Sequence, residues 1–301
     1  MMKMNNFFRT RYDFRLQCFV VYLLLLVTAT LWSQTSPQAS PIPYGQNPAV
    51  GRMAPVNGFN MYYEVYGSGA PLFLIHGNGG NISSMKNQID YFKQHYRVIV
   101  ADSRGHGRSE LRTDSLTYRQ MADDWAALAD YLHLDSLYVI GWSDGGIIGL
   151  LLAIEHPSKV KKMVTMGANL QPDTSAVYDW AVNWVARTRK IVEQKIDSGD
   201  TSQNWPLLRQ HLQLLGDQPH IALSEIESIR VPVLIVAGDK DIIREEHSVR
   251  IFQHLRKGHL AILPGATHYA PATKTALFNA TAERFFSEPF KRPDSDWTKG
   301  H

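Results

Sequence analysis

Ser143 stands in Gly141-Trp142-Ser143-Asp144-Gly145, between an apolar run that reads as a buried strand and a second apolar run with helical spacing. A serine hydroxyl is a weak nucleophile until a base takes its proton, and that base must be held in the right tautomer. A serine at a strand-to-helix bend, fenced by glycines, has the form of a nucleophile elbow. The tight turn crowds the backbone, so the flanking positions must lack bulk. It also aims the N-terminus of the next helix at the reacting atoms, where the dipole favours developing negative charge. On such a scaffold an acid and then a histidine should follow the serine along the chain. "VLIVAGDKDII" closes a late strand with Asp239 and Asp241, and "LPGATHYA" closes the last strand with His268. Both would emerge at the carboxyl edge of a parallel sheet, where α/β sites form. Asp241, beyond the Gly238 turn, can extend toward His268. Asp239 is expected to shape that turn through its side chain, and exchanging the two alters the scheme little. Ser143, His268 and Asp241 together spell acyl transfer.

That chemistry also needs donors for an oxyanion. "LIHGNGGN" follows the first long strand with a glycine-rich loop, so the backbone N–H groups of Asn78 and Asp144 are the expected pair. His76 is expected to brace the loop rather than act as a base. A phosphate cradle fits poorly, because the spacing differs from the nucleotide fingerprints and no Lys-Ser/Thr follows. His95, His133, His156, His211, His220, His247, His254 and His301 fall in helices, loops or the tail and read as surface or packing residues.

The elements that must position these groups are legible as alternation. Short runs rich in Val, Ile and Leu at 72–75, 98–101, 137–140, 163–166, 231–238 and 259–263 suit strands buried on both faces of a mostly parallel sheet. Between them lie helical patterns, such as Met121, Trp125, Leu128 and Leu132. This is an α/β fold with helices on both faces. From about Leu170 to Ile229 the rhythm breaks. Val177, Trp180, Trp184, Thr188 and Ile191 recur at helical spacing, and a second helix follows Asn204-Trp205-Pro206, which suggests a helical lid over 170–229. Trp180 and Trp184 are candidates for contact with substrate; with Trp205 they can equally form the lid's own core.

The remaining features bound the class. The chain has 301 residues, 44% hydrophobic and 20% charged, enough for one large domain. Lys3, Arg9, Arg11 and Arg15 precede the apolar run Phe19–Val27, the pattern of an export signal over 1–34. An uncleaved membrane anchor is the alternative, although the run is short for a span. With Asp13, those four cations account for the whole net charge of +3, so the basicity says nothing about nucleic acid. The single cysteine, Cys18, lies ahead of that apolar run, which leaves the mature domain without disulfides, thiol nucleophiles or cysteine metal sites. Residues 35–55 read as an exposed leader, 56–169 and 230–288 as the core, and 289–301 as a tail. The expected protein is exported, needs no metal or organic cofactor, acts on a small-molecule ester, and has no nucleic-acid partner and no membrane contact beyond its N-terminal segment.

"HGNGG", "ADSRGHGRS", "GWSDGG", "PVLIVAGDKD" and "GATH", in this order, resemble the α/β-hydrolase superfamily from about Asn57 to Phe286. The resemblance implies the α/β-hydrolase fold and a serine hydrolase. Serine at the elbow departs from the branches whose nucleophile is aspartate, and Asn169 stands where other branches carry their acid, which favours Asp241. "GWSDGG" with "HPSKVKKMVTMGAN" is further similar to the valacyclovir hydrolase (biphenyl hydrolase-like) branch. That likeness implies ester hydrolysis including α-amino acid esters, with Asp144 recognising the substrate's ammonium. Asp144 reads equally as an anion stabilised at a helix N-terminus. The same triad also serves amidases, lactonases and C–C bond hydrolases, and a ligand receptor without turnover is the alternative from another class.

Overall fold

A computed structural model describes residues 43–296 and Thr298. The expected export segment, and residues 35–42 of the expected leader, lie outside the described residues. The apolar runs become an eight-stranded sheet. Its strands are β1 (Arg52–Val56), β2 (Phe59–Tyr66), β3 (Ala70–Ile75), β4 (Tyr96–Ala101), β5 (Leu137–Trp142), β6 (Val160–Met166), β7 (Val233–Lys240) and β8 (Gly258–Thr267). They lie side by side as β1-β2-β4-β3-β5-β6-β7-β8. The first two pairings are antiparallel and all the others parallel.

The helices are α1 (Lys86–Phe92), α2 (Tyr118–Tyr131), α3 (Asp144–Glu155), α4 (Asp179–Asp197), α5 (Trp205–Asp217), α6 (Leu223–Ser228), α7 (Glu245–His254), α8 (Ala270–Thr273) and α9 (Thr275–Ser287). Phe73 and Ile75 of β3 belong to one buried cluster with Trp125 of α2, Ile148 of α3 and Ile251 of α7. Their neighbours Leu72 and Leu74 face the other way, against Phe92 of α1 and Phe278 of α9. Both faces of the sheet are thus dry, which is why β3 is continuously apolar instead of alternating. No helix among the described residues is long and apolar enough to cross a membrane.

Two features of this architecture create the site. The chain passes from β3 to β4 on one side and returns to β5 on the other, so the loops after β3 and β5 diverge from adjacent strand ends. Helices α4, α5 and α6 fill the interval between β6 and β7, where the sequence broke its rhythm. They carry a small core of their own, made by Val192, Trp205 and Leu212.

The leader expected over 35–55 is corrected from residue 43 onward. Tyr44 is buried, and β1 begins at Arg52, inside that interval. The cause is Glu64, fully buried on β2, whose carboxylate accepts the N–H groups of Gly45 and Asn47, each at 2.9 Å. The hydroxyls of Tyr62 and Tyr66 donate to it at 2.8 and 2.7 Å. A buried carboxylate needs such partners, and the segment before β1 supplies two of them.

Candidate active site

Ser143 joins β5 to α3 with φ 57° and ψ −121°, a left-handed backbone that costs on the order of 1–3 kcal/mol for a residue with a side chain. Its N–H donates to the Met166 carbonyl of β6 at 2.7 Å, which fixes the bend. The turn is tight enough that a Cβ on Gly141 would overlap the Gly145 carbonyl, and one on Gly145 would overlap the Ile75 carbonyl.

His268 follows β8 and points at this bend. Its Nε2 lies 2.8 Å from Ser143 Oγ, and its Nδ1 lies 2.7 Å from Asp241 Oδ1. Beside a carboxylate, Nδ1 carries the proton and Nε2 is left to accept from the serine hydroxyl. Asp241 is buried and also accepts the N–H groups of Ile243 and Gly238 at 3.1 and 3.3 Å. Burial alone would push its carboxyl up. The hydrogen bond and charge of His268, with those two N–H groups, outweigh burial and hold it below the usual carboxylate range. Asp239 bonds across strands rather than within its own turn: the N–H groups of Gly265 and Ala266 donate to it at 2.9 and 3.2 Å.

The loop after β3 runs directly over the serine, since a Cβ on Gly77 would sit 3.0 Å from Ser143 Cβ. His76 is buried, with Nδ1 at 2.8 Å from the Gly77 carbonyl and Nε2 accepting the Ser103 N–H at 3.0 Å. Burial pushes its imidazole down to about 4, so it stays neutral and braces two loops. The Asn78 side chain donates from Nδ2 to Asp144 Oδ2 at 2.9 Å and to the His211 carbonyl at 3.1 Å. Asp144 opens α3, so its own N–H has no acceptor within the helix. Its carboxyl is buried, and that burial pushes it up to about 6, with Asn78 and the neighbouring Tyr118 pulling the other way.

A cavity of about 370 Å³ stands over these groups, a size suited to a small ligand. Ser143, Asp144, Asn169, Arg189, Gln218 and His268 are among its polar lining, and Val177, Ala181, Val185, Ile242 and Ile243 are among its apolar walls. Trp180 and Trp184 line it while remaining 60% and 50% exposed, as does Tyr269 at 60%. Asp241 sits behind His268, and the Asn78 side chain is tied to the cavity lining through Asp144. Asn169 lines the cavity, whereas Trp205 is packed with Val192 and Leu212.

Sequence reasoning missed several residues here. Tyr118 lines the cavity from the start of α2, where the pattern spoke only of apolar packing. Trp142 donates from Nε1 to the His268 carbonyl at 2.7 Å, and its place in the elbow pentapeptide was the available signal. His211, read as an ordinary packing residue, stacks on His106 with ring centroids 4.1 Å apart and brings its carbonyl to Asn78. Gly167 lies against His268, where a Cβ would come within 2.7 Å of the ring. Among the described residues, Asp123, Glu155 and His156 group as metal ligands would. They lie outside the cavity lining, and Arg119 already pairs with Glu155 and His156 with Asp123.

Comparison with known proteins gives a consistent picture. The family model of the α/β-hydrolase fold matches residues 70–197. The human protein named "Serine hydrolase BPHL" is 28% identical over 88% of this chain and 96% of its own length. A protein of Azorhizobium caulinodans named "Putative carbamate hydrolase RutD" is 32% identical over 76% of this chain and 96% of its own. The crystal structure of the enol-lactonase from Burkholderia xenovorans LB400 superimposes with a TM-score of 0.64 at 20% identity, covering 79% of this chain and all of that one.

Proposed function

This chain belongs to the α/β-hydrolase family and is a hydrolase, and from that premise we propose that it cleaves small carboxylic esters through an acyl-enzyme formed on Ser143. The observation that carries this reading is the relay from Ser143 Oγ through the two ring nitrogens of His268 to Asp241, at 2.8 and 2.7 Å. Ser143 Oγ attacks the ester carbonyl as His268 Nε2 takes its proton, and Asp241 stabilises the imidazolium. The N–H groups of Asn78 and Asp144 receive the oxyanion. As the tetrahedral adduct collapses, the alkoxide leaves with the proton from His268. Water then attacks the acyl-enzyme, with His268 as base again, and releases the acid and free Ser143. Donors of this kind are each worth roughly 10²- to 10³-fold in rate.

Within the ester class, α-amino acid esters suit the site, because Asp144 places a buried carboxylate on the cavity surface beside Ser143. With its proton lost near pH 6, that carboxylate is charged at neutral pH and complements an ammonium. The carbamate named for the Azorhizobium relative, and an amide, lactone or carbon–carbon bond, would present the same relay with another leaving group. Lys3, Arg9, Arg11 and Arg15 ahead of Phe19–Val27 support export as part of this reading, and the membrane-anchored alternative separates from it by cell fractionation.

The test is kinetic and covalent together. Ser143→Ala should abolish hydrolysis of a nitrophenyl ester and labelling by a fluorophosphonate, with thermal stability retained. Turnover by that variant at the wild-type rate sinks the reading. Stoichiometric ligand binding by a wild type that is neither labelled nor active favours the receptor. A panel of aryl esters, amino-acid esters, lactones and carbamates then ranks the leaving groups. Asp144→Asn should selectively weaken the amino-acid esters.

A further inference from the structure

An oxyanion hole works only if both donors point at one spot, and a misplacement of about 1 Å is costly. Here the two N–H groups come from different elements: Asn78 from the loop after β3, and Asp144 from the first turn of α3. Something must hold these elements in register. One carboxamide touches both. Asn78 carries the first donor on its backbone, and its side chain reaches the carboxylate of the residue that carries the second, at 2.9 Å. The other hydrogen of the same Nδ2 goes to the His211 carbonyl of α5 at 3.1 Å. That stretch of α5 is itself fastened to the core, because the His211 ring stacks on His106 and its Nε2–H donates to the Gly105 carbonyl at 3.1 Å. Both amide hydrogens of Asn78 are therefore committed, one to each neighbour.

We propose that the Asn78 carboxamide is a positioning group for the oxyanion hole, tying its two backbone donors to each other and to lid helix α5. This rests on the acyl-transfer reading above and adds to it a side chain that touches no reacting atom. A small side chain at position 78 would leave the backbone donor in place but unregistered. The ester would still enter the cavity, since the Asn78 side chain is engaged by Asp144 and the His211 carbonyl and does not line it. The loss should therefore fall on kcat and spare KM.

The full chain carrying Asn78→Ala or Asn78→Asp is compared with wild type on a nitrophenyl ester between pH 5.5 and 8. Asn78→Ala should lower kcat on the order of 10- to 100-fold, less than deletion of a donor, with KM within about twofold. Asn78→Asp sets a second carboxyl against Asp144. Two facing carboxylates share a proton as pH falls, and the shared proton restores a donor. Its deficit relative to wild type should therefore shrink toward pH 5.5, while that of Asn78→Ala stays flat. A purely structural role gives no such divergence. Wild-type kcat in Asn78→Ala, a loss confined to KM, or parallel pH profiles for the two variants would overturn the proposal. If Asn78→Ala fails to fold, the Asn78→Asp profile decides alone. Activity that survives Ser143→Ala removes the underlying reading, whereas an inert Ser143→Ala beside an unaffected Asn78→Ala removes this inference only.

Discussion

Two aspartates leave the end of β7 at positions 239 and 241, and their partners separate them. Asp241 turns inward, loses nearly all contact with water and meets His268 at 2.7 Å. Asp239 stays partly exposed and accepts two N–H groups of β8. Position in the sequence could not distinguish them, since both follow the strand and both can reach a neighbouring loop. What separates them is the turn at Gly238, whose N–H donates to Asp241 and draws that carboxyl beneath the histidine. The two should differ sharply on substitution. Asp241→Asn leaves the geometry but favours the wrong imidazole tautomer, and kcat should fall by roughly 10⁴-fold. Asp239→Asn keeps an acceptor for one strand contact, so kcat should stay within a fewfold while stability drops by about 1 kcal/mol. Nitrophenyl ester kinetics and a thermal melt on each variant measure this, and an active Asp241→Asn would move the acid elsewhere.

At the scale of elements, helices were the easier reading. Trp180 and Trp184 lie one turn apart on α4, and the same 3.6-residue period that revealed the helix left open which way they face. The structure separates the three tryptophans of α4 and α5: Trp180 and Trp184 are half exposed on the cavity, and Trp205 is packed with Val192 and Leu212. The stretch before β1 was the harder reading. Its Pro, Ser and Gly content resembles a linker, and the reason it packs lies on Glu64 of β2, a partner that no local pattern reveals. Periodicity reports which residues share a face, and it is silent about a single buried carboxylate that collects donors from a distant segment. The tryptophans give a test at this scale. Trp184→Ala removes an aromatic wall worth about 1 kcal/mol to an aryl substrate, so KM for an aryl ester should rise roughly fivefold with kcat held. Trp205→Ala should instead lower the melting temperature and leave KM alone. The reverse assignment would place Trp205 at the substrate.

The whole molecule stores an unusual set of neutral histidines. Burial pushes His76 and His247 down to about 4, and it also lowers His106 and His211. In the unfolded chain each would titrate at its ordinary value, 6.5. Below that value the unfolded state binds protons that the folded state refuses, so stability is full above pH 6.5 and is lost as pH falls toward 4. By pH 5, His76 and His247 should each forfeit about 2 kcal/mol. Asp102 and Asp144 act in the opposite sense, because burial raises both to about 6 in the folded state. Each takes up its proton sooner than the unfolded chain does, and returns about 1 kcal/mol over the same interval. The histidines win, and the fold should weaken between pH 7 and pH 5. His247 is the place to measure it, because its Nε2 accepts the Leu170 N–H at 2.9 Å, at the start of the interval between β6 and β7 that holds α4, α5 and α6. A proton there would set a donor against a donor. His247→Gln can keep an acceptor at that point without titrating. Urea unfolding at the two pH values should therefore show a loss smaller by about 2 kcal/mol in His247→Gln than in wild type. Equal losses in the two proteins would mean that His247 stays accessible to protons in the folded state, and that the acid sensitivity of this fold arises from other groups.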